Sequence, residues 1–292
     1  MTDDVRTNRM ELSERVQGAL DRLLNQNYIA RNGNRYQFLT DEEQEIANQI
    51  ARTKVDTAQV THKAGEILFK EIFDTPKLMV EKNQFPVEEW IDSTRVNAPG
   101  GLVLRVLACI DGSDAPTREE LIMRSSGSEA IVLPNQEIDY MSPLWEAARI
   151  EQFTRTLVRG NLPENQQAII RSKQQEKTRL EREAGSLLEQ AIRQGEFYVQ
   201  GQQVTPAKAS SAKKAMEECL TRLVNVVYPN LSFIDTNYDG DDDIRRILNG
   251  AMQALPGIEP NKEAVGEVER MLKGGASRHR TVTMGDIQKR YQ

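Results

Sequence analysis

Cysteine, histidine and tryptophan are nearly missing from this chain: two of each in 292 residues. Two cysteines cannot build a disulfide framework. Cys109 and Cys219 both lie in apolar segments and read as buried thiols of a reducing compartment. His62 and His279 are far apart and neither is near a cysteine, so zinc sites and histidine-based nucleophile triads have little to work with. His62 is expected on the solvent side of an amphipathic helix, and His279 in an exposed loop. Aromatics are only 5% while charged residues are 28%, the balance of a helix-rich protein with extended polar faces.

Other absences narrow the function. No apolar run approaches membrane-spanning length, and residues 1–10 are polar, so neither an anchor nor a signal peptide is expected and the reading is cytoplasmic. The formal net charge is −6, without the basic surplus that phosphate-gripping proteins carry, and the basic patches (Lys208, Lys213, Lys214; Lys273, Arg278, His279, Arg280) are short. No GxxxxGK[ST] loop is present to cradle phosphates. No lysine has an acid two residues before it, which removes the restriction-type nuclease core. The acidic pairs Glu88–Glu89, Asp111 with Asp114, and Asp239–Asp243 read as solvated turns rather than catalytic dyads. The expectation is a non-enzyme with no cofactor and no metal.

The stretch DTNYDGDDDIRR, residues 235–246, tests that expectation. Asp235, Asn237, Asp239, Gly240 and Asp243 fit a calcium loop. Its twelfth position, which needs a bidentate glutamate, is Arg246. The better reading is an acidic turn whose aspartates meet the dipole of a short helix over 244–248.

What is present is periodic. Leu12, Val16, Ala19, Leu20, Leu23 and Leu24 form one apolar helical face, and that helix should stop near 25–27. A strand from Tyr28, an Asn32-Gly33 turn and a return through Tyr36 and Phe38 complete helix–strand–turn–strand, the second half of a winged helix. Thr40 and Glu43 form a capping box opening a helix through Ile46 and Ile50. The next helix carries Val60, Ala64, Ile67, Leu68 and Ile72. Residues 77–134 then read as strands of one small sheet: 78–80, 88–91, 102–110, 121–124 and 130–133, with LVLRVLACI central. Beyond Tyr140 come a helix from Ser142-Pro143, a long polar helix over 164–194, the hairpin FYVQGQQVTP, and a helix over 207–227.

The expected class is α+β, predominantly helical: a partial winged helix, a small mixed sheet, then a helical region with a long polar helix and a hairpin. The expected parts are 1–56, 57–136 and 137–292, the hairpin being 196–206. On the winged-helix half, Arg15, Gln17 and Arg22 of the helix and Arg31, Asn32 and Arg35 of the wing are the candidate contacts to a partner or to double-stranded DNA. Glu11, Glu14 and Asp21 share the helix face, and their repulsion of phosphate favours a protein contact over a DNA-binding regulator. Only about ten polar residues precede the first helix, too few to bury its stripe. At the other end TVTMGDIQKRYQ opens a helix, with Thr283 as cap and Asp286 behind it, and then stops, so both ends read as cut from a longer polypeptide, and the first helix is expected to be poorly packed within the monomer.

The order of NYIARNGNRYQFLTDEEQEIANQI, QFPVEEWID, LVLRVLACI, LWEAARIEQF, FYVQGQQV, VVYPNL and the closing TVTMGDIQKRY resembles the middle region of the large P-loop protein of BREX phage-defence systems, the BrxC/PglY family. That resemblance implies a bacterial cytoplasmic protein acting with other BREX subunits around a DNA methyltransferase. Family members carry an ATP-binding domain whose phosphate loop this chain lacks, so ATP hydrolysis transfers to no residue here. What transfers is a scaffold or coupling region, with other BREX subunits or the rest of its own ATPase as partners, and with oligomerisation left open.

Overall fold

The computed structural model describes residues 9–32, 35–108, 116–157, 163–207, 210–235, 241–242, 245, 249 and 261–291. Cys109, Asp111, Asp114, Asp239 and Asp243 lie outside them, as does most of the expected helix over 244–248. The contacts divide the chain into two compact units. One holds residues 1–63 and 140–186, the other residues 64–139 and 187–292. These units interleave along the sequence, where consecutive parts were expected. The class is α+β and predominantly helical.

The first unit contains α1 (Arg9–Asn25), β1 (Ile29–Asn32), β2 (Arg35–Phe38), α2 (Asp41–Arg52), the start of α3 (Thr57–Ile67), α5 (Met141–Thr156) and the first three-quarters of α6 (Glu164–Arg193). Thr40 opens α2 as expected: its hydroxyl accepts from Glu43 N–H (3.3 Å), and Glu43 reaches back to Thr40 N–H (2.8 Å). Ile46 and Ile50 of α2 pack with Ala147, Ile150 and Phe153 of α5 and Leu180 of α6. The polar helix α6 thus contributes few apolar side chains to this core, as its sparse pattern dictates. β1 and β2 pair antiparallel, with Asn32 opposite Arg35. Asn32 therefore belongs to the strand, and the connection begins one residue later than the Asn32-Gly33 expectation.

The second unit is built on a mixed sheet in the order β3 (Lys77–Val80), β4 (Asn83–Ile91), β6 (Leu102–Val106), β7 (Glu129–Leu133), β8 (Glu196–Val199), β9 (Gln202–Val204), with β5 (Thr94–Arg95) beside β4. β6 runs parallel to both β4 and β7, and the remaining pairs are antiparallel. The most apolar segment is central, as expected: strands pair with both of its edges, and its Leu102, Leu104 and Val106 are buried. One face shows Phe85, Val87, Leu102, Leu104, Val106 and Ala130, all buried. Helix α7 (Ala212–Val227) packs on this sheet through Ala215, Met216, Cys219, Leu220 and Leu223. The opposite face buries Leu107, Ile131 and Tyr198 with Leu121 of α4 (Arg118–Arg124).

Two expectations change here. Residues 121–124 are helical, not a strand. Thr117 accepts from Glu120 N–H (3.3 Å) and Glu120 caps Thr117 N–H in return (3.0 Å), a capping box that starts a helix in front of a short apolar run. The hairpin also joins the sheet instead of standing apart in a helical region. Gln200 and Gly201 both take left-handed φ (54° and 69°), the two-residue turn that keeps strand twist, and β8 then pairs with β7 from Ala130↔Val199 to Leu133↔Glu196. After α7, a short turn of helix (Leu231–Phe233) precedes α8 (Lys262–Ser277) and α9 (Met284–Tyr291).

Candidate functional site

Candidate contacts in the first unit come from α1 and the β1–β2 ribbon. No residue of α1 is buried, and Val16 keeps 51% of its surface in water. Arg15, Gln17 and Arg22 are all exposed. Gln17 is held by Asp21, its amide donating to the carboxylate at 2.8 Å. Arg31 lies 5.9 Å over the Tyr36 ring. Side chains alternate along a strand, so Arg31, opposite Tyr36, and Arg35, opposite Asn32, leave the ribbon on different faces. A single phosphate track therefore does not meet both. Phe38 at the end of β2 is 78% exposed, and Tyr28 is also open. The ribbon and α6 border a cavity of about 270 Å³ that includes Arg31, Gln37, Glu43, Lys173 and Arg179. Its charges are mostly matched within the unit: Lys173 reaches Glu176 at 2.7 Å and Arg179 reaches Glu183 at 2.9 Å.

The same unit contains an ion cluster that sequence reading missed. Lys63 of α3 binds Glu151 of α5 (2.6 Å) and Glu181 of α6, and Lys177 sits 3.5 Å from Glu181. Burial pulls the Lys63 pKa down, but the bonds from Glu151 and Glu181 outweigh it and leave it raised. The cluster ties three helices whose ligands are far apart in sequence, and no local pattern reveals it. Lys63→Met removes the cation between two carboxylates and should cost about 2 kcal/mol after discounting for partial solvent access. A urea titration at neutral pH checks this. Burial raises the Glu151 carboxyl, but its bond to Lys63 outweighs this and leaves it lowered, so the loss should shrink in acid as that carboxyl protonates.

In the second unit, Glu88, Trp90, Arg105 and Glu129 share one face of the sheet. The Arg105 guanidinium lies 4.4 Å over the Trp90 ring, donates to the Asp92 carbonyl at 2.6 Å, and pairs with Glu129. Glu88 accepts from Gly100 N–H (3.1 Å) and Trp90 Nε1–H (2.8 Å). The backbone bond from Gly100, then the indole bond, hold its carboxyl below the usual range. Gly100 must be glycine, since a Cβ there would lie 2.7 Å from the Pro86 carbonyl and 2.8 Å from Glu88 N. This is a closed network. Each charge has a partner, and none is poised as a base.

Glu89 differs, and it corrects the expectation of a solvated acidic pair. It points to the opposite face, in the row of Phe85, Val87 and Ile91, and is only 6% exposed. Its backbone is fully engaged, N–H to Asn97 Oδ1 (2.8 Å) and carbonyl from Val96 N–H (2.8 Å). Burial alone pushes its carboxyl up to about 7. The alternation from Phe85 through Ile91 was the available signal: Glu89 has the parity of the apolar residues. Elsewhere, burial pushes the Cys219 thiol up to about 12, so it is an inert core residue. Asp235, the first residue of the calcium-like stretch, already accepts from Asn261 N–H (2.9 Å), while Asn261 Oδ1 accepts from Asp235 N–H (2.9 Å). Its carboxylate is thus engaged at the start of α8.

Residues 53–223 match the family model described as BREX ATP-binding protein BrxC 4th domain with six-stranded beta sheet. The chain belongs to this BrxC family. Its six-strand path from β3 to β9 lies wholly inside the matched span. The context is therefore BREX phage defence, and the matched part is the fourth domain rather than an ATP-binding one. The ribbon and α1 precede the matched residues. No solved structure matches the chain. Among the described residues, no helix is long and apolar enough to cross a membrane.

Proposed function

We propose that this BrxC-family chain is a non-catalytic scaffold, cytoplasmic, that couples a BREX ATPase to other defence subunits, with α1 and the β1–β2 ribbon as the contact surface. The observation that carries the reading is that no residue of α1 is buried: its apolar stripe is only half-covered and Val16 is open, next to the open side chain of Phe38. The closed network on the sheet supports the absence of catalysis, because its charged side chains are engaged with one another. Arg15, Gln17, Arg22, Arg31, Asn32 and Arg35 would frame that surface as its polar rim. The split between Arg31 and Arg35 favours a protein partner over duplex DNA at this place.

Co-purification with co-expressed BREX subunits tests the reading. The double change Val16→Asp with Phe38→Asp should abolish recovery while leaving the melting temperature unchanged, since neither side chain is buried. Undiminished recovery of the partners by the double variant would refute it.

A further inference from the structure

Arg270, Lys273, Arg278, His279 and Arg280 fall within eleven residues of an otherwise acidic chain. The fold turns this run into a concavity. Helix α8 ends with Arg280 N–H donating to the Gly275 carbonyl (2.9 Å) and His279 N–H to that of Ala276 (3.1 Å), with His279 left-handed at φ 52°. This is the Schellman terminus, and it reverses the chain against the helix. The reversal is tight: a Cβ on Gly275 would lie 2.5 Å from the Val282 side chain. Beside it opens a groove of about 700 Å³, floored by Gly274 and Gly275 and bordered by Arg270, Arg278 and Arg280.

Several features of this groove are not required by the fold. The side chains of Arg278 and Arg280 make no hydrogen bond or ion pair among the described residues, whereas Lys273 is paired with Glu269 at 3.2 Å. The groove's acids are engaged or hidden. Asp286 caps α9 by accepting from Thr283 N–H (3.0 Å) and Oγ1–H (2.8 Å), and Glu267 is buried. Gly274 weakens a helix interior relative to alanine, yet a Cβ there would meet nothing within 4 Å. Unpaired guanidiniums bordering one groove repel one another until an anion joins them, and their planar forks suit phosphate oxygens. A floor without side chains admits a close backbone.

We propose that this groove binds the phosphodiester backbone of duplex nucleic acid, with Arg278 and Arg280 as the phosphate contacts and Arg270 at the rim. A stable protein partner would need an apolar centre, and among the described residues the only apolar side chains lining the groove are Met271 and Val282. The groove shares no residue with the α1 surface, and each proposal can fail without the other.

Fluorescence anisotropy with a labelled duplex of arbitrary sequence, titrated with the whole chain from about 50 to about 200 mM salt, tests the proposal. Arg278→Gln with Arg280→Gln should weaken binding about tenfold and lower the slope of log K against log salt by about 2. Gly274→Leu, which fills the floor from an exposed position, should weaken it as well. Unchanged melting curves show that the variants fold. The proposal is overturned if wild type does not bind at the lowest salt, or if both groove variants bind like wild type. It is equally overturned if Arg31→Gln with Arg35→Gln alone removes binding, or if a polyglutamate peptide competes better than unlabelled duplex.

Discussion

Replacing Glu89 with glutamine should make the protein more stable at pH 8 by about 2 to 3 kcal/mol and change little at pH 5. The physical cause is a carboxyl without a charged neighbour among the described residues, set in the apolar row of β4. Its pKa is about 7 in the folded chain, against an ordinary 4.5. The folded state therefore holds the proton more tightly than the unfolded one. Stability is full below about pH 4.5 and falls as pH rises through 7, by at most about 3 kcal/mol for a difference of roughly 2.5 pH units. Glutamine keeps the shape of the protonated acid and cannot ionise, so its stability should be flat across that window apart from other groups. Denaturant midpoints of the wild type and Glu89→Gln at pH 5, 6, 7 and 8 read the difference directly. Parallel lines would mean that Glu89 is hydrated or paired, and would remove the argument.

Gly195→Ala should cost about 3 kcal/mol or more, with no change of charge or polarity. Gly195 joins the end of α6 to β8, where the chain passes against the end of β7. A Cβ there would fall 2.4 Å from the Leu133 carbonyl oxygen, 3.0 Å from Pro134 Cα and 3.1 Å from the Ala191 carbonyl oxygen. All three are backbone atoms and no rotamer change relieves them, so the strand end itself must move. The Ala191 carbonyl also accepts from Asn135 N–H (2.9 Å), so a shift there loosens a second link between helix and strand. Urea unfolding followed by circular dichroism measures the loss. A drop under about 1 kcal/mol would show that the β7–β8 edge yields easily. The same substitution at Gly274, where a Cβ meets nothing, serves as the control and should be neutral or stabilising.

Local signals in this chain were read correctly where they were self-contained. The Thr40–Glu43 box, the helical spacing of Met216, Leu220 and Leu223, and the Gly201 turn each need only their own neighbours, and each is present as expected. The helix at residues 118–124 shows how such a signal is overlooked. Thr117 and Glu120 spell a capping box, but the run after it is short enough to pass for a strand. The order of blocks pointed to the BREX family, and the family match over 53–223 agrees.

The amino-acid sequence by itself determined the class, most of the longer helices, the 196–206 hairpin, the absence of a phosphate loop, and the family. These depend on periodicity, capping and turn chemistry, which act over a few residues. Only the tertiary structure decided that the hairpin extends the sheet, that Lys63 meets Glu151 and Glu181, and that Arg278 and Arg280 line one groove. Those outcomes depend on which distant segments come to lie side by side. Burial, pairing and convergence of charge are properties of such neighbourhoods, and no short stretch of chain encodes them.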